Sequence, residues 1–97
     1  MEFNKFDIEI GKRLYEARVL KRLTQEQASV LISQCMKQQG FKKGISRQAY
    51  AFYESGKRSM PLEVYKVACN ILDINYVETF NRACDALKIS EDSNCRL

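Results

Sequence analysis

The sequence contains no histidine and no tryptophan among its 97 residues, and its four cysteines form no CxxC pair. Histidine is the most common general base, and histidine and paired cysteines are the usual zinc ligands. We therefore expect no metal site and no cofactor. A glycine-rich phosphate loop, paired carboxylates in one motif and an activated serine or cysteine are also missing. The sequence predicts a protein that is not an enzyme, with Cys69 and Cys84 as buried structural thiols.

Long apolar runs are absent as well. No stretch approaches the roughly 20 apolar residues that a membrane-spanning helix needs. The amino-terminal MEFNKFDIEI lacks the basic start and apolar stretch of a signal peptide. Apolar residues make up 45% and charged residues 29% of the chain, which is typical of a globular protein. We expect a cytoplasmic protein without a membrane partner, with one domain over residues 1–88 and a polar tail over residues 89–97.

Positive charge is concentrated in one part of the chain. Residues 12–58 hold 11 Lys and Arg against 3 Asp and Glu, whereas residues 59–97 hold 4 against 6, and the whole chain carries +4. A basic part beside a mildly acidic part suits a face that binds a polyanion. An ordinary solvated surface is the other interpretation, so charge alone does not assign a function.

Helical signals dominate, and no segment alternates convincingly like a strand. A first helix is predicted from Asp7 to about residue 21, and a second begins at Thr24, the first residue of a capping box. The third runs from Ser46 to Gly56, which is suited to ending it. Pro61 starts a fourth helix that ends near residue 73, and a fifth spans about 76–88. Two short helices joined at an angle in an all-α chain of five helices match the helix-turn-helix plan.

The third helix carries the functional hypothesis. Tyr50 and Tyr53 are three residues apart and mark its inward face. Its outward face then consists of Arg47, Gln48, Ala51, Phe52 and Ser55. The first two lie in the first turn, where a recognition helix presents its end to the DNA major groove. Arginine can donate to O6 and N7 of guanine and glutamine can pair with adenine, so this face is predicted to read bases.

Helix starts and basic residues offer contacts to phosphate. Amide groups and the positive dipole end at a helix start suit phosphate oxygens. Cations also stand on both sides of the third helix in the sequence. The residues expected to contact phosphate are Thr24, Gln25, Lys42, Lys43, Ser46, Ser55, Lys57 and Arg58. Such contacts are largely independent of base sequence and sensitive to salt.

The stretches IGKRLYEARVLKRLTQEQAS and ISRQAYAFYESGKRSMP resemble the phage repressor/Cro-type (XRE-like) helix-turn-helix family. The similar parts are the arginine of the first helix, the Leu-Thr-Gln opening of the second, and a third helix that starts at serine and ends in Glu-x-Gly-Lys-Arg. The resemblance covers residues 8–74 and implies a lambda-repressor-like fold. It also implies an ion pair between Arg18 and Glu54 that locks the first helix to the third. Its further implications are phosphate contact by Gln25 and base reading by Arg47, Gln48 and Phe52.

The segment between the second and third helices departs from this family. Thr24 and Ser46 are 22 positions apart, whereas family members keep a tight turn and have about ten residues fewer. The extra residues fall within SQCMKQQGFKKG and must lengthen the second helix, the turn or both. Its lysines either add phosphate contacts or belong to a solvated loop, and the sequence leaves both open.

Phe52 is the second departure, because a polar reader is more usual at its position. Three interpretations compete. The ring contacts a thymine methyl in the major groove, it packs beneath the extra segment against Met36 or Phe41, or it belongs to the edge of the core.

The fifth helix places four residues on one stripe, namely Val77, Phe80, Cys84 and Leu87. The stripe caps the core or forms a two-fold dimer, and we favour the dimer because paired half-sites need two copies. The sequence thus predicts a small dimeric repressor, from a phage or mobile element, that reads an inverted repeat in double-stranded DNA. The alternative is a protein-interaction module on the same fold, such as an anti-repressor or antitoxin, and a regulatory protein partner fits either case.

Overall fold

The computed structural model describes residues 4–87, and in this range the chain forms five α-helices and no strand. The helices are α1 (Lys5–Leu20), α2 (Gln25–Gln38), α3 (Arg47–Ser55), α4 (Leu62–Leu72) and α5 (Tyr76–Leu87). The prediction of an all-α chain is confirmed. None of these helices is long and apolar enough to cross a membrane. The tail predicted over residues 89–97 lies outside the described residues.

Local capping explains where α2 and α3 begin and end. Thr24 Oγ1 accepts a hydrogen bond from the Gln27 amide at 3.0 Å, while Gln27 Oε1 accepts one from the Thr24 amide at 2.8 Å. The predicted capping box is therefore confirmed. Ser46 caps α3, and Gly56 ends it with a φ of 80°. Glycine adopts this left-handed conformation without the steric cost of a side chain, so the chain turns sharply there.

The predicted N-cap of α1, Asp7, is wrong, because the cap is Asn4, three residues earlier. The helix begins at Lys5, because Asn4 Oδ1 accepts hydrogen bonds from the amides of Phe6 and Asp7 at 2.7 and 3.3 Å. Asn and Asp are about equally good N-caps, so residue type alone does not choose between positions 4 and 7. Asp7 instead accepts a hydrogen bond from Ser59 Oγ at 2.6 Å, which ties α1 to the segment after α3.

One apolar core holds the inner face of α3. Tyr50 and Tyr53 are both buried, as predicted for that face. The helices contribute further fully buried side chains, among them Leu14, Ala28, Ile32, Ala68 and Leu72. At Gly11, α1 and α3 approach so closely that a Cβ atom there would lie 2.8 Å from the backbone carbonyl oxygen of Tyr53. This close packing leaves only the opposite side of α3 exposed.

The predicted apolar stripe of α5 lies mostly at the surface. The helix packs against α1 through Thr79 and Ala83, which are its buried residues. The Phe80 ring is partly covered by Phe6, with the ring centroids 5.3 Å apart in an edge-to-face arrangement. The remaining area is open, since Val77, Phe80 and Leu87 are 56%, 43% and 40% exposed. The stripe therefore covers the core only in part, through Phe80 and Phe6, and both interpretations of the stripe stay predictions.

Candidate nucleic-acid interface

An ion pair between Arg18 of α1 and Glu54 of α3 fixes these two helices to each other. Arg18 Nε and Nη2 donate to the two carboxylate oxygens of Glu54 at 2.7 and 3.0 Å. The same guanidinium donates to the backbone carbonyl of Leu23 at 2.8 Å. The side chains are only 12% and 5% exposed. Because the planar fork of arginine matches a carboxylate at two points, the contact sets the orientation of α3 as well as its distance from α1.

Gln25, the first residue of α2, joins the same cluster. Its Nε2 atom donates to Glu54 Oε1 at 2.9 Å. Burial by itself would raise the pKa of Glu54, but hydrogen bonds from Arg18 and Gln25 outweigh burial and lower it. The hydrogen bond to Glu54 is also the main cause that raises the pKa of Arg18. The ionised carboxylate therefore connects α1, α2 and α3, and we call these three residues the buried ion-pair cluster.

Tyr50 lies beneath the buried ion-pair cluster. Burial raises the pKa of its phenol, and the negative charge of Glu54 raises it further. Among residues 4–87 the hydroxyl finds no hydrogen-bond partner of good geometry. The ring itself is fully buried in the core.

The first turn of α3 faces solvent. Arg47 and Gln48 are exposed, while Ala51 and Phe52 farther along the helix are half-buried. Ser46 Oγ accepts a hydrogen bond from the backbone of α3 at 3.0 Å, which leaves its own proton free for another acceptor. The four side chains predicted to read bases thus lie outside the core, and the two in the first turn are the most accessible.

The residues predicted to contact phosphate differ in how many of their N–H and O–H groups are already used in hydrogen bonds within the protein. The Thr24 amide is not free as expected, because it donates within the capping box. Ser55 donates its hydroxyl proton to the backbone carbonyl of Phe52 at 3.1 Å. Gln25 uses one amide hydrogen in the buried ion-pair cluster and retains the second. The exposed cations among these residues are Lys42, Lys43, Lys57 and Arg58.

The segment SQCMKQQGFKKG forms the end of α2 and the turn that follows it. The helix continues to Gln38, and Met36 in its last turn is buried in the core. Gly40 then takes a φ of 100°, which reverses the chain. Phe41 packs against the core, and its amide donates to the backbone carbonyl of Met36 at 3.0 Å. The segment is therefore anchored in the core by an aromatic side chain.

A second anchor lies at the other end of the segment. Ser33 Oγ donates to the backbone carbonyl of Ile45 at 3.0 Å and accepts from the Ile45 amide at 2.9 Å. Gly44 lies so close to the Ser33 side chain that a Cβ atom would not fit. These contacts hold Lys42 and Lys43 at a defined place just before α3. Sequence reasoning missed this anchor, because a serine and a glycine far apart in the chain carry no local pattern.

Phe52 lies outside the core. It is not among the hydrophobic side chains that pack against the core, whereas Phe41 is, and Met36 belongs to the core itself. The interpretations of Phe52 as an edge of the core and as a neighbour of Met36 are therefore wrong. Instead, Lys57 Nζ lies 5.9 Å and Arg58 Cζ lies 4.9 Å from the centroid of its ring. Contact with Phe41 or with a thymine methyl stays a prediction.

An apolar cavity of about 210 Å³ adjoins the stripe on α5. It lies between the start of α1, the end of α3 with the segment that follows it, the start of α4, and α5. Its lining is mostly apolar, with Phe6, Ile10, Met60, Leu62 and Phe80, but it also includes the charged side chains of Asp7 and Arg58. Leu62 is 71% exposed, so the apolar surface extends beyond the four residues predicted from the sequence. Leu62 was missed because it stands in the first turn of α4, outside the periodic pattern.

Comparisons with protein-family models, with curated proteins and with solved structures gave no match to this chain. The resemblance to the repressor/Cro-type family therefore stays a prediction that rests on the two stretches quoted above. Within residues 4–87, no group of three or more cysteine, aspartate and glutamate side chains is arranged to hold a metal ion.

Proposed function

We propose that this protein is a sequence-specific regulator that binds double-stranded DNA, of the repressor/Cro-type helix-turn-helix class, with α3 as its recognition helix. The observation that carries the proposal is the buried ion-pair cluster. It fixes α3 through Glu54 while Arg47 and Gln48, almost two turns earlier on the same helix, stay exposed. A helix that reads bases must be held rigidly, because two-point hydrogen bonds tolerate little displacement.

The proposed reading mechanism follows from the donors in the first turn of α3. Arg47 presents a guanidinium fork for O6 and N7 of guanine, and Gln48 presents an amide for N6 and N7 of adenine. Each such pair would contribute about 1–3 kcal/mol of discrimination against a wrong base. Ser46, Lys42 and Lys43 stand beside this turn and would hold phosphate oxygens, so that the same end of the helix provides both affinity and specificity.

A homodimer is part of the proposal. The stripe on α5 and the neighbouring Leu62 form an exposed apolar surface that suits a second copy of the chain. A two-fold dimer presents two recognition helices, which predicts an inverted repeat as the target. The proposed physiological role is repression by a small protein of a phage or mobile element.

Selection of random DNA duplexes by the purified protein tests this proposal. We expect enrichment of an inverted repeat, with affinity that falls steeply with salt. Arg47→Ala and Gln48→Ala should each abolish preference for one base pair in each half-site and leave the helical content unchanged. Lys66→Ala, which removes an exposed cation of α4, is the matched control and should keep the preference. Selection without any enriched sequence would overturn the proposal.

One observation favours a second candidate function, that of a protein-interaction module such as an anti-repressor or antitoxin. The apolar cavity beside the exposed α5 stripe would equally accept an apolar side chain of a different protein. In that case Arg47→Ala and Gln48→Ala would leave binding unchanged, and a stoichiometric protein partner would co-purify with the chain. Substitution of Phe80 by Asp should then release that partner.

A further inference from the structure

The end of α3 carries the half-buried ring of Phe52, with two exposed cations near it. Arg58 Cζ lies 4.9 Å and Lys57 Nζ lies 5.9 Å from the centroid of the Phe52 ring. Both distances fall within the range in which the negative face of an aromatic ring attracts a cation. The three residues therefore form a local unit, which we call the Phe52 cation pair.

The backbone explains how two cations reach the same ring. Gly56 adopts a left-handed conformation directly after α3, so the chain folds back and the next two side chains return over the last turn of the helix. The segment after α3 is also tied to α1, because Ser59 Oγ donates to Asp7 Oδ2 at 2.6 Å. The backbone that carries Lys57 and Arg58 is thus held on both sides, by the turn at Gly56 and by the hydrogen bond of Ser59.

The contact leaves the cations able to bind an anion. A cation attracted to a ring face does not use its N–H groups as donors in that contact, so these stay available for phosphate oxygens. Free lysine and arginine side chains lose considerable rotamer entropy when they are ordered. A ring that orders them in the unbound protein removes part of this loss from the binding step.

We infer that Phe52 is a positioning residue, which orders Lys57 and Arg58 for contact with the DNA backbone and does not itself read a base. This inference rests on the proposed DNA-binding function and assigns a role to the residue where the chain departs from the family it resembles. It accounts for a large aromatic side chain on the outward face of α3, and for its position next to two cations rather than in the core.

The inference is tested with Phe52→Leu, which keeps an apolar side chain but removes the ring, and with Phe52→Tyr, which keeps the ring. Tyr76→Leu is the matched control, because the Tyr76 ring also lies near a cation, Lys66 Nζ at 5.6 Å, but on α4 and α5. Circular dichroism establishes that each variant is folded. The probes are the duplex enriched by selection, a scrambled duplex of equal length, and the enriched duplex with each thymine replaced in turn by deoxyuridine.

Three results are expected. Phe52→Leu should weaken binding to the enriched and scrambled duplexes by the same factor, about two- to fivefold for each cation released. The dependence of log K on log salt should become shallower by up to roughly one for each lost phosphate contact. In proton NMR spectra of the free protein, the side-chain signals of Lys57 and Arg58 should lose their ring-current shifts. Phe52→Tyr and Tyr76→Leu should leave all three readouts as in the wild type.

Other outcomes overturn the inference in distinguishable ways. If one thymine-to-deoxyuridine change weakens wild-type binding but not Phe52→Leu binding, Phe52 reads that methyl group. If the variant binds with unchanged affinity and salt dependence, the ring does not order the cations for DNA. If the wild-type protein binds no duplex, the proposed function fails and the role of Phe52 fails with it.

Discussion

The substitution Glu54→Gln probes the buried ion-pair cluster most directly. It preserves the size of the side chain and its capacity for hydrogen bonds, but it removes the negative charge. Arg18 is then left 12% exposed without its carboxylate partner, and its guanidinium cannot lose its proton. The variant should therefore lose the free energy of unfolding that is needed to keep a mostly buried positive charge without a counter-charge.

The expected magnitude follows from this burial. Removing one partner of a buried ion pair costs about 3–5 kcal/mol, and the residual exposure of Arg18 favours the lower end. A chain of this size has a total stability of about 5–15 kcal/mol, so the loss is a large fraction of it. The midpoint of thermal unfolding should fall by about 4–8 °C for each kcal/mol.

A second ion pair in the same protein supplies the control. Lys21 Nζ and Asp73 Oδ2 are also 2.7 Å apart, but these side chains are 35% and 76% exposed. Asp73→Asn makes the same acid-to-amide change, and asparagine tolerates the positive φ of this position. An exposed pair contributes about 0–1 kcal/mol, so this variant should unfold close to the wild type.

Urea and thermal unfolding, followed by circular dichroism, measure both variants. Tyr50→Phe is a further control inside the buried cluster, and it should change the stability by less than about 1 kcal/mol because its hydroxyl makes no well-formed hydrogen bond. If Glu54→Gln costs as little as Asp73→Asn, the cluster does not hold α3 in place, and the argument for a rigid recognition helix is refuted.

Three further predictions concern packing, thiol reactivity and pH. Gly11→Ala would press a methyl group against the backbone of α3 and should lower the free energy of unfolding, measured with urea, by about 1–3 kcal/mol. Lys12→Ala, on the exposed side of α1, is the control and should change it little. Equal losses in the two variants would contradict the close approach of α1 and α3. Burial raises the pKa of Cys69 to about 11, so an alkylating reagent should modify it far more slowly than the half-buried Cys84. Mass spectrometry measures both rates, and equal rates would contradict the burial of Cys69. The pKa of Glu54 is lowered from its ordinary value of 4.5, so its contribution to stability is complete above pH 4.5 and is lost as the pH falls through the lowered pKa. This acid-induced loss should be absent from Glu54→Gln.

The sequence predicted most helix boundaries correctly, because short-range chemistry determines them. A capping box at Thr24, a cap at Ser46 and a glycine at position 56 act within a few residues of chain, and the structure has all three. The start of α1 was missed, because Asn and Asp cap helices about equally well and residue type alone did not distinguish Asn4 from Asp7.

The candidate site was predictable only where a local pattern marks it. The three-residue spacing of Tyr50 and Tyr53 identified the inward face of α3. It therefore also placed Arg47 and Gln48 on the outward face. The partner of Glu54 came from resemblance alone, because 36 residues separate it from Arg18 and no periodicity links them. The hydrogen bond from Gln25 to Glu54 was missed. A glutamine at a helix start can equally well donate to a phosphate oxygen, so its position did not indicate this partner.

By itself, the sequence determined an all-α chain, the places where most helices start and stop, and the concentration of positive charge around α3. The tertiary structure decided which groups meet across the chain, as in the Ser33 anchor on Ile45, the close approach at Gly11, the exposure of the α5 stripe and the position of two cations beside Phe52. The reason is physical. Caps and helical periodicity act over one or two turns, whereas these contacts depend on how whole helices pack, and packing is fixed by the complete set of side chains at once.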